Sequence, residues 1–408
     1  MTFLIAIVGL LFLVLIHEAG HFFVALAVGM RPRKFYIGFP PAVARFRRNG
    51  IEYGLGAIPL GGYVRIPGMH RPAAKDAEIN FGPAVKENPE LALQGRAIEQ
   101  RLAAGEHAAV RAELDAFRDA LDRSNLSRVA RKSADRGLRD LDESTGADAY
   151  WRQQTWKRVA VILAGPLTNI VFALLILAAV YMLGVPNANT RIVESVQPGK
   201  PAAAAGLRAG DEIVAVDGHA TLTFQAIRSR IQASTGGPIT VTVVRDGRRL
   251  TLPPERTLGA NGRWLFGFVP GVSLRHYSAG AAFHLAGNDC WQAAKGMGLA
   301  IYGLFHQKQR DQLTSAVGIV RVSSDALKVS FRIYLQILGF ISLSLALLNL
   351  LPLLPLDGGH ILFSVIEGLR RRAVAREVYE RASVVGFAVI LLIAFIALSN
   401  DLGGKGPG

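Results

Sequence analysis

Four long apolar stretches divide the chain, and polar, Gly-rich or charged segments separate them. The stretches are residues 1–30, 156–184, 331–366 and 384–399. A helix needs about 20 mostly apolar residues to cross a bilayer. We therefore predict a polytopic α-helical membrane protein with about four transmembrane helices, and the lipid bilayer as one of its partners.

The intervening segments have distinct patterns. Residues 31–70 contain short β-prone runs punctuated by Gly and Pro, which predicts a membrane-associated β-hairpin region. Residues 71–151 are rich in Arg, Asp, Glu and Ala, with apolar residues at helical spacing, which predicts a charged helical insertion. Residues 190–255 carry three strand-like runs and one helical pattern, which predicts an inserted β-rich domain. Residues 275–330 are expected to form an amphipathic interfacial segment.

The charged residues predict the orientation of these segments. The net charge is +15, and the cations flank the apolar stretches instead of alternating with aromatic residues, so we expect no nucleic-acid partner. The flanking clusters are Arg31, Arg33, Lys34, Arg45, Arg47 and Arg48; Lys157 and Arg158; and Arg370, Arg371, Arg372 and Arg376. The positive-inside rule places them, with the charged insertion, in the cytoplasm. We therefore predict a multi-pass protein of the cell's inner membrane, with both termini and residues 185–330 on the extracytoplasmic side.

The cysteine content and the N-terminal residues exclude several features of secreted and thiolate-metal proteins. The single cysteine, Cys290, excludes an intramolecular disulfide framework and a paired-thiolate metal site. The first basic residue is Arg31, so the first apolar stretch lacks the basic start of a secretory signal peptide. We expect it to be a retained membrane helix.

Residues His17-Glu18-Ala19-Gly20-His21 form an HExxH motif inside the first apolar stretch. Residues four apart share a helix face, so His17 and His21 can bind one Zn²⁺ while Glu18 reaches a water on the metal. The motif alone is a moderate signal, because it arises by chance in roughly one chain in a hundred. Its intramembrane position strengthens it, since ionisable groups are costly in hydrocarbon unless they have a function.

A hydrolytic zinc site needs three protein ligands and an open position for water. Asp357 is the best candidate for the third ligand, because a carboxylate within an apolar stretch needs a partner such as a metal ion. Pro352 and Pro355 are expected to break the helix there, as membranes allow only beside a cavity. His360, three residues further on, is a competing ligand; its alternative interpretation is a solvated residue at a helix end.

Two roles are open for Asn349, which lies in the same apolar stretch. Its amide can donate to a substrate carbonyl or an oxyanion, or it can form a hydrogen bond between helices, and the spacing favours neither. The other histidines stand singly in polar or interfacial sequence, and we expect surface or structural roles for them. They are His70, His107, His219, His276, His284 and His306.

Together these residues resemble the site-2 protease family of intramembrane zinc metalloproteases, of the bacterial regulator-of-sigma-E protease type. Residues 17–21 match the family's HExxH motif, and residues 349–358 match its NxxPxxxLDG motif. Residues 59–64 are similar to the family's membrane-associated β-hairpin, and residues 164–169 to a segment of its second span. Residues 193–252 resemble a PDZ domain, and one such unit is evident, as in the shorter relatives with a single PDZ domain.

The resemblance implies roles for individual residues. It implies that His17, His21 and Asp357 bind zinc and that Glu18 activates water, which makes the protein a zinc metalloendopeptidase. It also implies regulated intramembrane proteolysis, in which single-span membrane proteins, typically anti-sigma factors, are cleaved after an upstream site-1-type protease has cut them. Residues 315–318 depart from a GPxG-like segment of the family, and the charged insertion has no family role that we can assign.

Substrate binding is the least constrained expectation. We expect Gly61 and Gly62 of the hairpin region to hold an unwound substrate segment by strand pairing, with Asn349 as a further contact. The PDZ-like domain would exclude bulky substrate domains or bind a newly exposed C-terminus. Two other functions are considered: a non-catalytic membrane scaffold that binds partners through the PDZ-like domain, and a metal transporter. The complete set of predicted catalytic residues argues against the scaffold, and the concentration of polarity at one site argues against the transporter.

Overall fold

The computed structural model of the protein describes residues 1–260, 262–304 and 315–403, so His306 lies outside the described residues. The contacts divide the chain into two compact units. Residues 178–285 form one, which we call the β-rich unit. Residues 1–177 and 286–408 form the other, which we call the helical unit.

The helical unit begins with a long apolar helix and a curled pair of strands. These elements are α1 (Thr2–Ala27), β1 (Lys34–Arg48) and β2 (Ile51–Arg65). Ile37 of β1 lies opposite both Leu55 and Gly62 of β2, so the ribbon curls back on itself. It packs on α1 through aromatic side chains, with the ring centroids of Phe22 and Phe35 5.0 Å apart.

The segment predicted to be a charged helical insertion contains four helices with their own apolar core. They are α2 (Ala74–Glu87), α3 (Ala92–Ala104), α4 (Val110–Arg123) and α5 (Arg128–Thr145). Phe81, Leu114, Phe117, Leu121 and Leu141 are buried in this core, while the charged residues between them remain at the surface. The spacing of the apolar residues therefore decides which face of each helix is buried.

The β-rich unit begins within the last turns of α6 (Thr155–Leu183), and after α6 it contains strands and two short helices. Its elements are β3 (Val185–Val196), α7 (Pro201–Ala204), β4 (Glu212–Val216), β5 (His219–Ala220), α8 (Phe224–Ala233), β6 (Pro238–Ile239), β7 (Val241–Arg245), β8 (Arg248–Thr251), β9 (Glu255–Arg256), β10 (Leu258–Ala260), β11 (Arg263–Leu265) and β12 (Phe268–Arg275). The main sheet has the order β12-β3-β4-β7-β8, with β5 paired to β4. Its inward side chains and those of α8 form one core, which includes Val193, Ile213, Val243 and Ile227.

Five helices complete the described chain. They are α9 (Ala279–Leu304), α10 (Ala316–Val329), α11 (Phe331–Asn349), α12 (Asp357–Arg370) and α13 (Arg376–Leu402). Within the described ranges, four helices are long and apolar enough to cross a membrane, namely α1, α6, α11 and α13. The prediction of a mostly helical protein with four candidate spans and some β-sheet is confirmed.

The structure gives the bounds of the third and fourth apolar stretches. The third was predicted to form a span over residues 331–366 that Pro352 and Pro355 break, and in the structure α11 ends at Asn349 and α12 begins at Asp357. Pro352 and Pro355 in the connection lack the amide hydrogen that a helix needs, and each restricts the residue before it. The fourth span, predicted over residues 384–399, is longer, because α13 begins at Arg376.

Close packing joins the helices that carry the candidate site. A Cβ added at Gly20 of α1 would lie 2.6 Å from the carbonyl oxygen of Ala164 in α6, so glycine permits the contact between these two helices. The hydroxyl of Ser342 in α11 donates to the carbonyl of Asn169 in α6 over 2.9 Å. Such small and polar contacts are how helices associate in an apolar solvent.

A buried ion pair supports the core of the β-rich unit. The Asp211 side chain is 1% exposed and accepts two hydrogen bonds from Arg245, each 2.7 Å long. Burial alone would raise the pKa of Asp211, but the bonds from Arg245 and from the Arg208 backbone amide outweigh it and hold the pKa below its ordinary value. This contribution to stability is therefore present above pH about 4 and is lost as the pH falls through the lowered pKa.

We predict that Asp211→Ala destabilises the β-rich unit by about 3 kcal/mol, because it leaves Arg245 without its partner. Hydrogen exchange of peptides from β4 and β7 in the full-length protein measures the effect. The matched control is Glu212→Gln, which removes the neighbouring carboxylate from a partly exposed ion pair with Arg191 and should cost less than about 1 kcal/mol. Equal protection in the two variants would contradict the prediction.

Candidate metal centre

The HExxH motif places two imidazoles one helical turn apart on α1. The ring centroids of His17 and His21 are 4.9 Å apart. The two residues are only 6% and 7% exposed, although both are polar. Polar groups buried in an apolar helix need partners, and these partners come from α12 and α6.

Asp357 of α12 completes a compact set of three ligand atoms. Its Oδ2 lies 3.2 Å from His17 Nε2 and 3.4 Å from His21 Nε2, and the two Nε2 atoms are 3.3 Å apart. In a tetrahedral zinc site with ligand distances near 2.1 Å, neighbouring ligand atoms lie about 3.4 Å apart. Asp357 Oδ2 is also buried and makes no hydrogen bond with any described residue. The three side chains therefore fit one zinc ion, and no other set of this kind occurs in the described ranges.

The break before α12 brings Asp357 to the histidines. Asp357 is the first residue of α12, directly after the proline-containing connection. A Cβ added at Gly358 would lie 2.3 Å from the carbonyl oxygen of Leu350, and one at Gly359 would lie 2.5 Å from the Leu354 nitrogen. The two glycines therefore let the start of α12 pack directly on the backbone of the connection.

Helix α6 holds His21 in a ligand orientation. His21 Nδ1 lies 2.8 Å from the carbonyl oxygen of Val161, so the ring donates there and leaves Nε2 free for a metal. The backbone of Gly165 lies against the same ring, because an added Cβ would be 2.2 Å from His21 Nε2. Hence α6 fixes both the tautomer and the position of this imidazole.

Asn169 of α6 plays the corresponding part for His17. Its amide nitrogen lies 3.4 Å from His17 Nδ1, and its own side-chain oxygen is buried without a hydrogen bond to any described residue. An imidazole that binds a metal through Nε2 carries its proton on Nδ1 and donates from there. Rotation of the amide exchanges its oxygen and nitrogen, and in the exchanged orientation the oxygen can accept a hydrogen bond from His17 Nδ1.

Glu18 lies beside the ligands, under the backbone of β2. A Cβ added at Gly62 would lie 2.2 Å from Glu18 Cγ, so no larger residue fits at this point of the strand. Gly61, the preceding residue, has a φ of +152°, a conformation that favours glycine. The structure therefore brings the predicted base and the predicted substrate-binding glycines together.

Two candidate residues lie outside the group of three ligands. His360 Nδ1 shares a hydrogen bond with the hydroxyl of Tyr379, and His360 is not part of the compact ligand set. Asn349 is the last residue of α11 and is partly buried. Its side-chain amide has no hydrogen bond with any residue that the structure describes, so both of its predicted roles stay predictions.

The α6 residues that contact the imidazoles were not predicted from the sequence. Val161 contributes only a backbone carbonyl, for which no sequence signal exists. Gly165 and Asn169 lie in a segment that we noted only as a family resemblance. A sequence signal was present, because Asn169 follows Gly165 by four residues within an apolar stretch. This spacing places a polar side chain and a glycine without a side chain on the same helix face.

The arrangement defines a class of enzyme. A glutamate next to a His-His-Asp ligand set is typical of hydrolytic zinc enzymes, in which the carboxylate handles the protons of the attacking water. Because the ligands lie on or next to candidate spans, the class is that of the membrane metalloproteases.

Comparison with known proteins leads to the same class. The sequence profile described as "Peptidase family M50" matches residues 5–393. The chain is 29% identical over 406 residues to the Agrobacterium fabrum protein Atu1380, covering 96% of this chain and 92% of that protein. It is 29% identical over 411 residues to zinc metalloprotease RasP of Geobacillus kaustophilus (96% and 95% coverage) and 28% identical over 432 residues to metalloprotease MmpA of Caulobacter vibrioides (98% and 96%). The chain belongs to peptidase family M50, the site-2 protease family, and is a zinc metalloprotease.

We predict that Gly165→Ala lowers zinc affinity by about ten- to a hundredfold, because the added methyl group would occupy the space next to His21 Nε2. Zinc bound per protein at buffered free zinc measures the change. The control is Gly287→Ala in α9, where an added Cβ has no described heavy atom within 4 Å. Unchanged zinc affinity in Gly165→Ala would show that α6 does not hold the imidazole in place.

Proposed function

We propose that the protein is an intramembrane zinc endopeptidase that cleaves the transmembrane segments of single-span membrane proteins, such as anti-sigma factors. His17, His21 and Asp357 would hold the zinc and Glu18 would act as the base. The observation that carries the proposal is the triangle of ligand atoms, whose sides are 3.2 to 3.4 Å long. Its atoms come from α1, a candidate span, and from α12, the helix that follows the candidate span α11. The reaction would follow a first cut by another protease, as in regulated intramembrane proteolysis.

Glu18 supplies the proton transfers of the proposed reaction. Zinc, when bound, polarises the scissile carbonyl and makes water a stronger acid. The carboxylate of Glu18 accepts a proton from the attacking water and delivers it to the leaving amine. His21, held by the Val161 carbonyl, and His17, beside Asn169, keep their orientation throughout this cycle.

The substrate would bind as an extended segment along β2. A transmembrane helix hides its peptide bonds in its own hydrogen bonds, so it must unwind before hydrolysis. Residues 62–65 of β2 pair with β1, and no further strand joins this sheet in the described part of the chain. A substrate strand added beside Gly62 would lie next to Glu18, and Asn349 would donate to a substrate carbonyl.

The β-rich unit would act as a PDZ-like filter for substrates. Its main sheet and α8, which share one apolar core, support this proposal. In the proposed orientation, the basic clusters are cytoplasmic and both termini and this unit lie outside the inner membrane. The membership of a zinc metalloprotease family counts against the alternative of a non-catalytic scaffold.

We predict that Glu18→Gln keeps zinc but lowers cleavage of a trimmed single-span substrate by about 10²- to 10⁴-fold, because it removes the proton acceptor. Asp357→Asn should lose both zinc and cleavage. Purified protein in detergent is assayed for bound zinc and for product, with Glu377→Gln at the start of α13 as the carboxylate control. Full cleavage by Glu18→Gln would rule out the proposed base.

We predict that removing the β-rich unit abolishes the preference for trimmed over full-length substrate and leaves cleavage of the trimmed form intact. Val185 and Arg275 lie opposite each other in the β3–β12 ladder, so their Cα atoms are about 5 Å apart and a short Gly/Ser linker can replace residues 186–274. Cleavage of both substrates by this variant and by the full chain gives the measurement. If the preference persists without the unit, the filter lies elsewhere.

A further inference from the structure

A large cavity lies within the helical unit, apart from the metal ligands. Its volume is about 1360 Å³, and its walls come from the insertion, the beginning of α6, α12 and the beginning of α13. Neither the proposed protease reaction nor the family resemblance uses this space. Its chemistry therefore has to be inferred from the side chains that line it.

The walls carry an excess of positive charge. Arg158 is paired with Glu367 over 2.6 Å, and Arg376 is paired with Glu380 over 2.7 Å. Three further lining arginines have no acidic partner among the described residues: Arg71, Arg371 and Arg372. A cavity with these unpaired cations attracts an anionic group.

Two buried N–H groups in the same walls also lack partners. Arg158 Nε is buried without a hydrogen bond to any described residue, although Nη2 of the same guanidinium is paired with Glu367. Arg71 Nε donates to His107 Nε2 over 2.9 Å, so the His107 proton lies on Nδ1, which is likewise buried without a described partner. Burial, and then the charges of Arg71 and Arg152, lower the pKa of His107, in agreement with a neutral ring. Buried donors without partners are rare in native proteins, and these two add to the preference of the walls for a group that carries hydrogen-bond acceptors and negative charge.

The position of the cavity indicates what carries such a group. Thr155 and Arg158 belong to the first turn of α6, and Tyr379 and Ser383 belong to the first turns of α13. Both helices are candidate spans, so their charged ends mark the level of lipid headgroups. From Val384 onward, α13 presents an apolar surface, of which Val384 itself is 69% exposed.

We propose that this cavity binds the phosphate headgroup of an anionic phospholipid, with the acyl chains along α13. The arginines supply charge and planar donors for phosphate oxygens. The proposal does not rest on the proposed protease substrate, because every group in it lies outside the metal centre.

Native mass spectrometry of the full-length protein tests the proposal. The protein is taken from nanodiscs of equimolar phosphatidylglycerol and phosphatidylcholine, and the retained lipids are identified and counted. The test variant is Arg371→Gln with Arg372→Gln, and Arg71→Gln is a second variant on another wall. The control is Arg248→Gln with Arg249→Gln, an adjacent exposed arginine pair in β8 that removes the same charge.

We expect retained phosphatidylglycerol in the wild type and in the control. Each arginine near an anionic lipid contributes a factor of about five, so the double cavity variant should bind roughly 25-fold more weakly and Arg71→Gln about fivefold more weakly. Equal retention in the cavity and control variants would overturn the proposal, since binding would then follow net charge alone. Displacement of the lipid by submillimolar inorganic phosphate, or by a soluble acidic peptide, would also overturn it, because the site would then serve a soluble ligand.

Discussion

The structure of the helical unit depends on one constraint: three polar side chains with buried ligand atoms must share a single partner inside an apolar solvent. His17, His21 and Asp357 come from opposite ends of the chain, and their ligand atoms converge to within 3.4 Å of one another. Without a common ion, these groups would carry a desolvation cost of several kcal/mol. With one, the same groups tie α1 to α12. A zinc ion held by these three side chains would therefore link α1 and α12, which the hydrophobic effect cannot hold together in lipid.

Helix α6 turns this link into a defined geometry. It contributes a carbonyl from Val161, a gap at Gly165 and an amide at Asn169, all on one face. These contacts fix the tautomer and the tilt of each imidazole, on which the position of the metal depends. The backbone carbonyl of Asn169 also accepts the hydroxyl of Ser342, so α11 reaches the same point. The same contacts thus orient the ligands and pack the spans against one another.

The candidate spans, and the residues that we propose as ligands and base, each left a local signal in the sequence. An apolar stretch has a recognisable length, HExxH has a fixed spacing on a helix, and a carboxylate in apolar sequence stands out. The contacts that were not predicted left weaker signals. Val161 contributes only its backbone carbonyl, and Gly165 contributes only the space that the absence of a side chain leaves. The break in the third stretch also left a local signal, because Pro352 and Pro355 cannot continue a regular helix, and α11 ends at Asn349 before them.

The composition of the charged insertion predicts no function, but the structure shows what the insertion contacts. It contacts both sides of the candidate metal centre. Arg65, three residues after Gly62 in β2, bonds to Asp140 over 2.5 Å and pairs with Glu143 over 2.9 Å, both in α5. At the end of the same segment, the Tyr150 hydroxyl lies 3.0 Å from the hydroxyl of Ser364 in α12. The strand that lies on Glu18 and the helix that begins with Asp357 are therefore braced by one folded body, which limits their independent movement.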